Sequence, residues 1–206
     1  MYLLTLVLGI VLLPEARTLI CYECAPGQTG TCTETTQCPS QKNQCAVQRL
    51  VSYTGGSEVL NVTEKSCALP EECGEHSLNF GVSRTVIASK CCSTNLCNTQ
   101  PASGVTPAVP NGRKCFSSDG QTSTTTLNCL GNEDHCISAT VSTGDQMVTL
   151  KGCASKVICT NKESAQMMGT IGAEMSCCQG DYCNSASSTS AGLMLLVAPL
   201  ISLVLS

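Results

Sequence analysis

Short runs in which apolar and polar residues alternate recur along this 206-residue chain. From Ile137 to Thr143 the alternation is regular; Gly144-Asp145 follows, and Gln146 to Lys151 forms a second arm. A period of two puts successive side chains on opposite faces of a strand, and Gly-Asp suits a two-residue turn, so the stretch predicts a β-hairpin. A second hairpin is predicted from Ala46 to Tyr53 and from Val59 to Lys65, with a looser turn at Gly55-Gly56. No stretch shows a convincing helical period. Continuous apolar runs occupy the two ends, Leu3 to Leu13 and Leu193 to Ser206, the latter broken by Ser202 and closed by Ser206.

Both end runs read as processing signals. The first has the length of a secretory leader's apolar segment and is too short to span a bilayer as a helix. Residues 1–18 are the expected leader, with cleavage after Ala16 or Thr18. The second follows a small and polar stretch from Asn184 to Gly192. Small residues, a polar spacer and an apolar end form the layout of a glycosylphosphatidylinositol (GPI) signal. As a helix, Leu193 to Ser206 would reach about 21 Å against a hydrocarbon core of roughly 30 Å, and no Lys or Arg follows. Residues 185–206 are the expected anchor signal. Ser185 is the expected lipidation site, with Asn184 and Ala186 next in line.

The composition changes the picture of what holds the hairpins together. There are 18 cysteines, no Trp, two Phe and four Tyr. So little aromatic bulk cannot offset the ordering entropy of small domains by apolar burial alone, so cross-links take over. The net charge of −4 is mild, and no basic stripe suggests nucleic acid.

Cysteine spacing reveals an internal repeat. Cys38 to Cys45 and Cys129 to Cys136 are the same step; so are Cys67 to Cys73 and Cys153 to Cys159, and Cys73 to Cys91 and Cys159 to Cys177. Each set closes on adjacent cysteines, four residues, a cysteine and an asparagine: Cys91-Cys92 to Cys97-Asn98, and Cys177-Cys178 to Cys183-Asn184. The second copy lacks the pair matching Cys24 and Cys32; Ser118 follows Cys115 where Cys24 follows Cys21. Residues 99–112, with three prolines, read as a semi-extended linker. The expected domains are therefore 19–98 and 113–184.

Ten cysteines opening with Cys21-Tyr-Glu-Cys24 and closing with Cys97-Asn98 resemble the three-finger module of the urokinase-receptor and lymphocyte-antigen-six superfamily. The resemblance covers both copies. It implies an all-β, disulfide-rich chain of two tandem three-finger (snake-toxin-like) domains, each a hub of bridges from which three hairpins project. It also implies a pairing that spacing leaves open. In domain one that pairing is Cys21 with Cys45, Cys24 with Cys32, Cys38 with Cys67, Cys73 with Cys91, and Cys92 with Cys97. In domain two it is Cys115 with Cys136, Cys129 with Cys153, Cys159 with Cys177, and Cys178 with Cys183. Asn98 and Asn184 are then hub-closing residues, which favours attachment after Asn184. The missing pair should loosen the first finger of domain two.

The remaining motifs have bland readings. Cys21-x-x-Cys24 in a secreted chain is a structural bridge rather than a redox or zinc motif. Glu71, Glu72 and Glu75 with His76 read as a solvated surface rather than a metal cluster. No nucleophile, histidine and acid sit in a recognisable elbow, so no catalytic residue is expected, nor any metal or cofactor. Asn61-Val-Thr63 is a glycosylation sequon in a secreted chain. Tyr22 and Phe116, each just after its domain's first cysteine, are expected to pack in the core at the hubs. The reading is a GPI-anchored protein on the outer face of the plasma membrane, also shed, that presents two three-finger domains to an extracellular or cell-surface protein. Urokinase binding does not follow, because that receptor uses three domains. The alternative is an inhibitor of a secreted enzyme, resembling the gamma-type phospholipase inhibitors.

Overall fold

The computed structural model describes residues 18–28, 32–120, 124–143, 146–161 and 172–185. All of the expected leader except Thr18, all of the tail beyond Ser185, and the Gly144-Asp145 turn lie outside them.

The first repeat opens with two short strands, β1 (Ile20–Tyr22) and β2 (Thr35–Gln37), paired antiparallel with Cys21 opposite Thr36. Its long hairpin follows, β3 (Gln44–Thr54) and β4 (Ser57–Ala68). Both turn glycines, Gly55 and Gly56, have positive φ, the backbone that a two-residue turn matched to strand twist requires. The third hairpin is β5 (Gly74–Asn79) and β6 (Ser83–Cys92), entered through a 3-10 turn at Pro70–Glu72. Strand β3 lies between β4 and β6, so Ala46, Val47 and Val51 are buried, whereas β4 is an edge strand exposed from Ser57 to Asn61.

The second repeat runs β7 (Pro110–Asp119), β8 (Thr125–Leu130), β9 (His135–Thr143), β10 (Gln146–Ala154), a five-residue helix α1 (Lys156–Thr160) and β11 (Gly172–Cys178), with no counterpart of β5 among the described residues. Strand β9 pairs with β10 in a register that sets Thr143 opposite Gln146, and its other edge pairs with β11. The helix escapes a periodicity search because it spans little more than one turn. Ile137, Ala139, Ala154 and Ile158 form the buried apolar centre here. The chain is thus all-β and disulfide-rich, with two tandem three-finger repeats.

By backbone proximity the chain divides into two compact units that do not follow the repeats. The first comprises 1–51, 59–75 and 86–106; the second comprises 52–58, 76–85 and 107–206. The end of the third hairpin of repeat one thus belongs with repeat two. Among the described residues no helix is long and apolar enough to cross a membrane.

Candidate functional site

Each repeat is organised by a knot of sulfur. Cys21 is bridged to Cys45, Cys38 to Cys67, Cys73 to Cys91 and Cys92 to Cys97, while Cys24 is bridged to Cys32 on the first finger. In repeat two Cys115 is bridged to Cys136, Cys129 to Cys153, Cys159 to Cys177 and Cys178 to Cys183. Two bridges touch at the centre of each hub: the Sγ atoms of Cys21 and Cys38 are 3.1 Å apart, and those of Cys115 and Cys129 are 3.3 Å apart. The sulfurs of Cys21, Cys38 and Cys67 are close enough together to share an ion, as are those of Cys115, Cys129 and Cys153. All six are oxidised in bridges, however, and the thiolate is the metal ligand.

The closing asparagines complete the hubs. Asn98 is buried; its Oδ1 accepts from the Tyr22 amide at 3.0 Å, and its Nδ2 donates to the carbonyls of Tyr22 at 2.9 Å and Ala46 at 3.1 Å. Asn184 repeats the arrangement with Phe116 and Ile137, its Oδ1 accepting from Phe116 at 2.9 Å and its Nδ2 donating to Ile137 at 3.0 Å. In both repeats the residue before the last cysteine, Leu96 or Tyr182, takes a φ of 57°. Its amide donates to the carbonyl of Ile20 or of Lys114. The equal four-residue loops in the sequence were the available signal for this turn. Tyr22 and Phe116 are half-buried rather than core residues: the Lys65 ammonium lies 5.6 Å from the Tyr22 ring, and Phe116 packs on Tyr182 at 5.1 Å.

The hubs hold middle hairpins whose return strands expose apolar side chains. Val59 and Leu60 stand near the start of β4, 62% and 41% exposed, and Met147 stands near the start of β10, 62% exposed. Asn61 lies on the exposed edge of β4, its Oδ1 accepting from Arg49 Nε at 2.9 Å. Ser185 is exposed at the end of the described chain; its amide donates to Tyr182 and its carbonyl accepts from Lys151 Nζ at 3.1 Å.

Two acidic features differ from their sequence reading. Glu72 is buried, and its Oε2 accepts from the Leu69 amide at 2.9 Å, closing the 3-10 turn. Glu75 accepts from the Thr106 amide at 2.7 Å. Both carboxylates therefore serve the backbone rather than lying on a purely solvated face. A shallow polar groove is lined by Asn111, Gly112, Arg113, Asp134 and Asp181. Beside it His135 Nδ1 lies 2.8 Å from Asp134. Burial raises the carboxyl of Glu64 above its ordinary range, with nearby Lys42 opposing that shift.

The model of the u-PAR/Ly-6 domain matches residues 17–100 and again 113–186. The chain is similar to the urokinase plasminogen activator surface receptor of Rattus norvegicus, 26% identical over 87% of this chain and 58% of that protein. It is 30% identical to the Mus musculus protein of the same name over 52% of this chain and 36% of the relative. To that of Bos taurus it is 26% identical over 73% and 48%. The chain thus spans less than two thirds of the length of these relatives.

Proposed function

This chain belongs to the u-PAR/Ly-6 domain family, and from that premise we propose that it is a cell-surface binding protein for an extracellular protein ligand. The observation that carries the reading is the recurrence of exposed apolar residues at the start of the return strand in both middle fingers, at Val59, Leu60 and Met147. Exposed apolar side chains on a scaffold held by bridges can contact a partner with little further ordering, which favours association. The rat and mouse relatives are named as surface receptors, and their name fits presentation of such a surface outside the cell.

Two modifications complete the proposal. The chain is held to the outer leaflet of the plasma membrane by a glycolipid on Ser185. Asn61 carries an N-linked glycan, which bonds through Nδ2 and leaves Oδ1 to Arg49. Loss of a glycosidase-sensitive mobility shift in Asn61→Gln tests the second; absence of any shift in the native protein overturns it.

The role itself is tested with the chain from residue 19 to 185, offered to an array of purified extracellular proteins. A ligand should be captured, and Val59→Asp, Leu60→Asp or Met147→Asp should weaken capture at least about tenfold by placing a charge in a desolvated contact. His76→Ala and His135→Ala should bind as the native chain does. A turnover activity abolished by either histidine change, in a folded protein, would replace binding with catalysis.

A further inference from the structure

A separate surface emerges from comparing equivalent positions in the two repeats. The turn that precedes the second hub closes with the Glu133 amide donating to Leu130, and its counterpart closes with the Lys42 amide donating to Pro39. Both residues stand three places before their hub cysteine, so the same turn carries a cation in repeat one and an anion in repeat two. Glu133 is fully buried, where a carboxylate is tolerated only with close partners. Three of its partners come from the third hairpin of repeat one. Its Oε1 accepts from Ser77 Oγ at 2.9 Å and from Arg84 Nε at 2.9 Å, and its Oε2 accepts from Asn79 Nδ2 at 3.1 Å. The fourth is the Leu130 amide at 2.8 Å.

The backbone of the same hairpin is paired as well. Strand β5 runs antiparallel to β10, with Asn79 opposite Cys153 and Leu78 opposite Ala154, and the Ser155 amide donates to Ser77. This approach depends on Gly152, where a Cβ would come within 2.0 Å of the Asn79 carbonyl oxygen; repeat one has Ser66 at the equivalent place. Ser117 Oγ donates to the Phe80 carbonyl at 2.6 Å. Ser117 stands just before Ser118, which replaces the bridged Cys24 of repeat one. All the residues that make these contacts, from Ser77 to Arg84 and from Ser117 to Ser155, belong to the second compact unit.

We propose that repeat two is a dedicated seat for the third finger of repeat one. The seat accepts an edge strand offering Ser77 and Asn79, backed by Arg84 from the return strand. Its position-specific marks are Glu133 in place of a lysine, Gly152 in place of a serine, and a serine pair beside the site of the absent bridge. Ser77, Asn79 and Arg84 are thereby withdrawn from ligand binding, while Val82 at the finger's turn stays exposed. This inference stands apart from the proposed ligand surface, since it uses none of Val59, Leu60 or Met147.

The test exploits the fact that every bridge closes within one repeat, so the linker is the sole covalent tie between them. A protease site placed at Ala102–Gly104 of the full chain is cut after folding, and the product is followed by native gel filtration at about micromolar concentration. The two halves should stay together at the mass of one chain. Glu133→Lys and, on the finger side, Arg84→Ala should each weaken their association at least about thirtyfold, the effect of truncating a buried charge pair. Arg84→Ala leaves the second hub untouched and serves where Glu133→Lys fails to fold. Separation of the native halves overturns the seat. So do native-like association of the cut Arg84→Ala protein and assembly at the mass of two chains, which would place another copy's finger there.

Discussion

Asn98 grips the backbone of Tyr22 from both sides, its Oδ1 3.0 Å from the Tyr22 amide and its Nδ2 2.9 Å from the Tyr22 carbonyl. The last residue of the cysteine pattern is thereby fastened beside the first, some 76 positions earlier. A third bond to Ala46 ties the start of the middle finger into the same point. The asparagine suits the place because one planar amide offers an acceptor and two donors, whereas a carboxylate offers acceptors alone.

Asn98→Ala should therefore destabilise the first unit by about 3–5 kcal/mol, since several buried backbone groups lose partners at about 1–3 kcal/mol each. Asn184→Ala should act alike in the second unit, where its partners are Phe116, Ile137 and Gly152. Asn98→Asp should be no better, because its oxygen would face the carbonyls of Tyr22 and Ala46. Urea unfolding of the secreted chain measures each. A change below about 0.5 kcal/mol would remove the asparagines from the hub's energetics.

The bridges should differ in worth by position. Cys38–Cys67 spans 29 residues and is buried, while Cys24–Cys32 spans 8 on the first finger. Loop closure alone assigns about 3.5 kcal/mol to the first and about 2.5 kcal/mol to the second. The hub bridge also loses its contact with Cys21. Replacing Cys38 and Cys67 together by Ala should block secretion, and replacing Cys24 and Cys32 together should only reduce it. Repeat two already lacks the second pair. Secreted yield and thermal midpoint decide, and equal losses would contradict the ranking.

The hairpins were legible because alternation and turn chemistry act locally. Thr143 opposite Gln146 follows from a two-residue turn, and positive φ at Gly55 and Gly56 follows from the glycines themselves. The strands run further than the alternation suggests, from Gln44 and to Ala68, because hub cysteines extend the ladder without adding an alternating pattern. Cysteine spacing revealed two repeats but left the pairing to the resemblance, since equal steps fit many connectivities. The seat around Glu133 was not legible. Its partners on the third hairpin lie 49 to 56 positions away, and nothing local distinguishes a buried glutamate in a turn from a solvated one. The charge reversal against Lys42 was visible, but it acquires meaning only once the third hairpin is placed. The same limit applied to Glu72, whose capping role depends on the turn it closes.

Glu64 should make the first unit sensitive to pH. Its carboxyl is raised above the ordinary value of 4.5 chiefly by burial, with Lys42 working the other way. A raised carboxyl binds its proton more tightly in the folded state, so its contribution favours folding below the unfolded value and fades as pH rises through the folded one. Glu64→Gln should therefore be more stable than the native chain at neutral pH, with the difference closing as pH falls below about 4. Paired denaturation curves at pH 7 and pH 3.5 read this. A glutamine variant less stable at neutral pH would mean that the Lys42 attraction outweighs burial.

The anchor proposal makes the sharpest demand on the end of the chain. Asn184 is buried and bonded to three backbone carbonyls, so processing that removed it would open the second hub. Ser185 is the next residue and is exposed. Glycolipid transfer converts the carboxyl end of the attachment residue to an amide and keeps its carbonyl oxygen, so the 3.1 Å bond from Lys151 survives attachment at Ser185. Attachment there would remove the apolar run from Leu193 onward, whose reach of about 21 Å as a helix falls short of a bilayer core. Phosphatidylinositol-specific phospholipase C should release the protein from intact cells, and the C-terminal peptide of the released form should contain Asn184 and end at Ser185. Replacing Ser185 with a bulky residue such as Trp should lower surface display without disturbing the hub. Continued attachment after the enzyme, with peptides from 193–206 recovered from the membrane form, would show that the apolar run itself holds the chain.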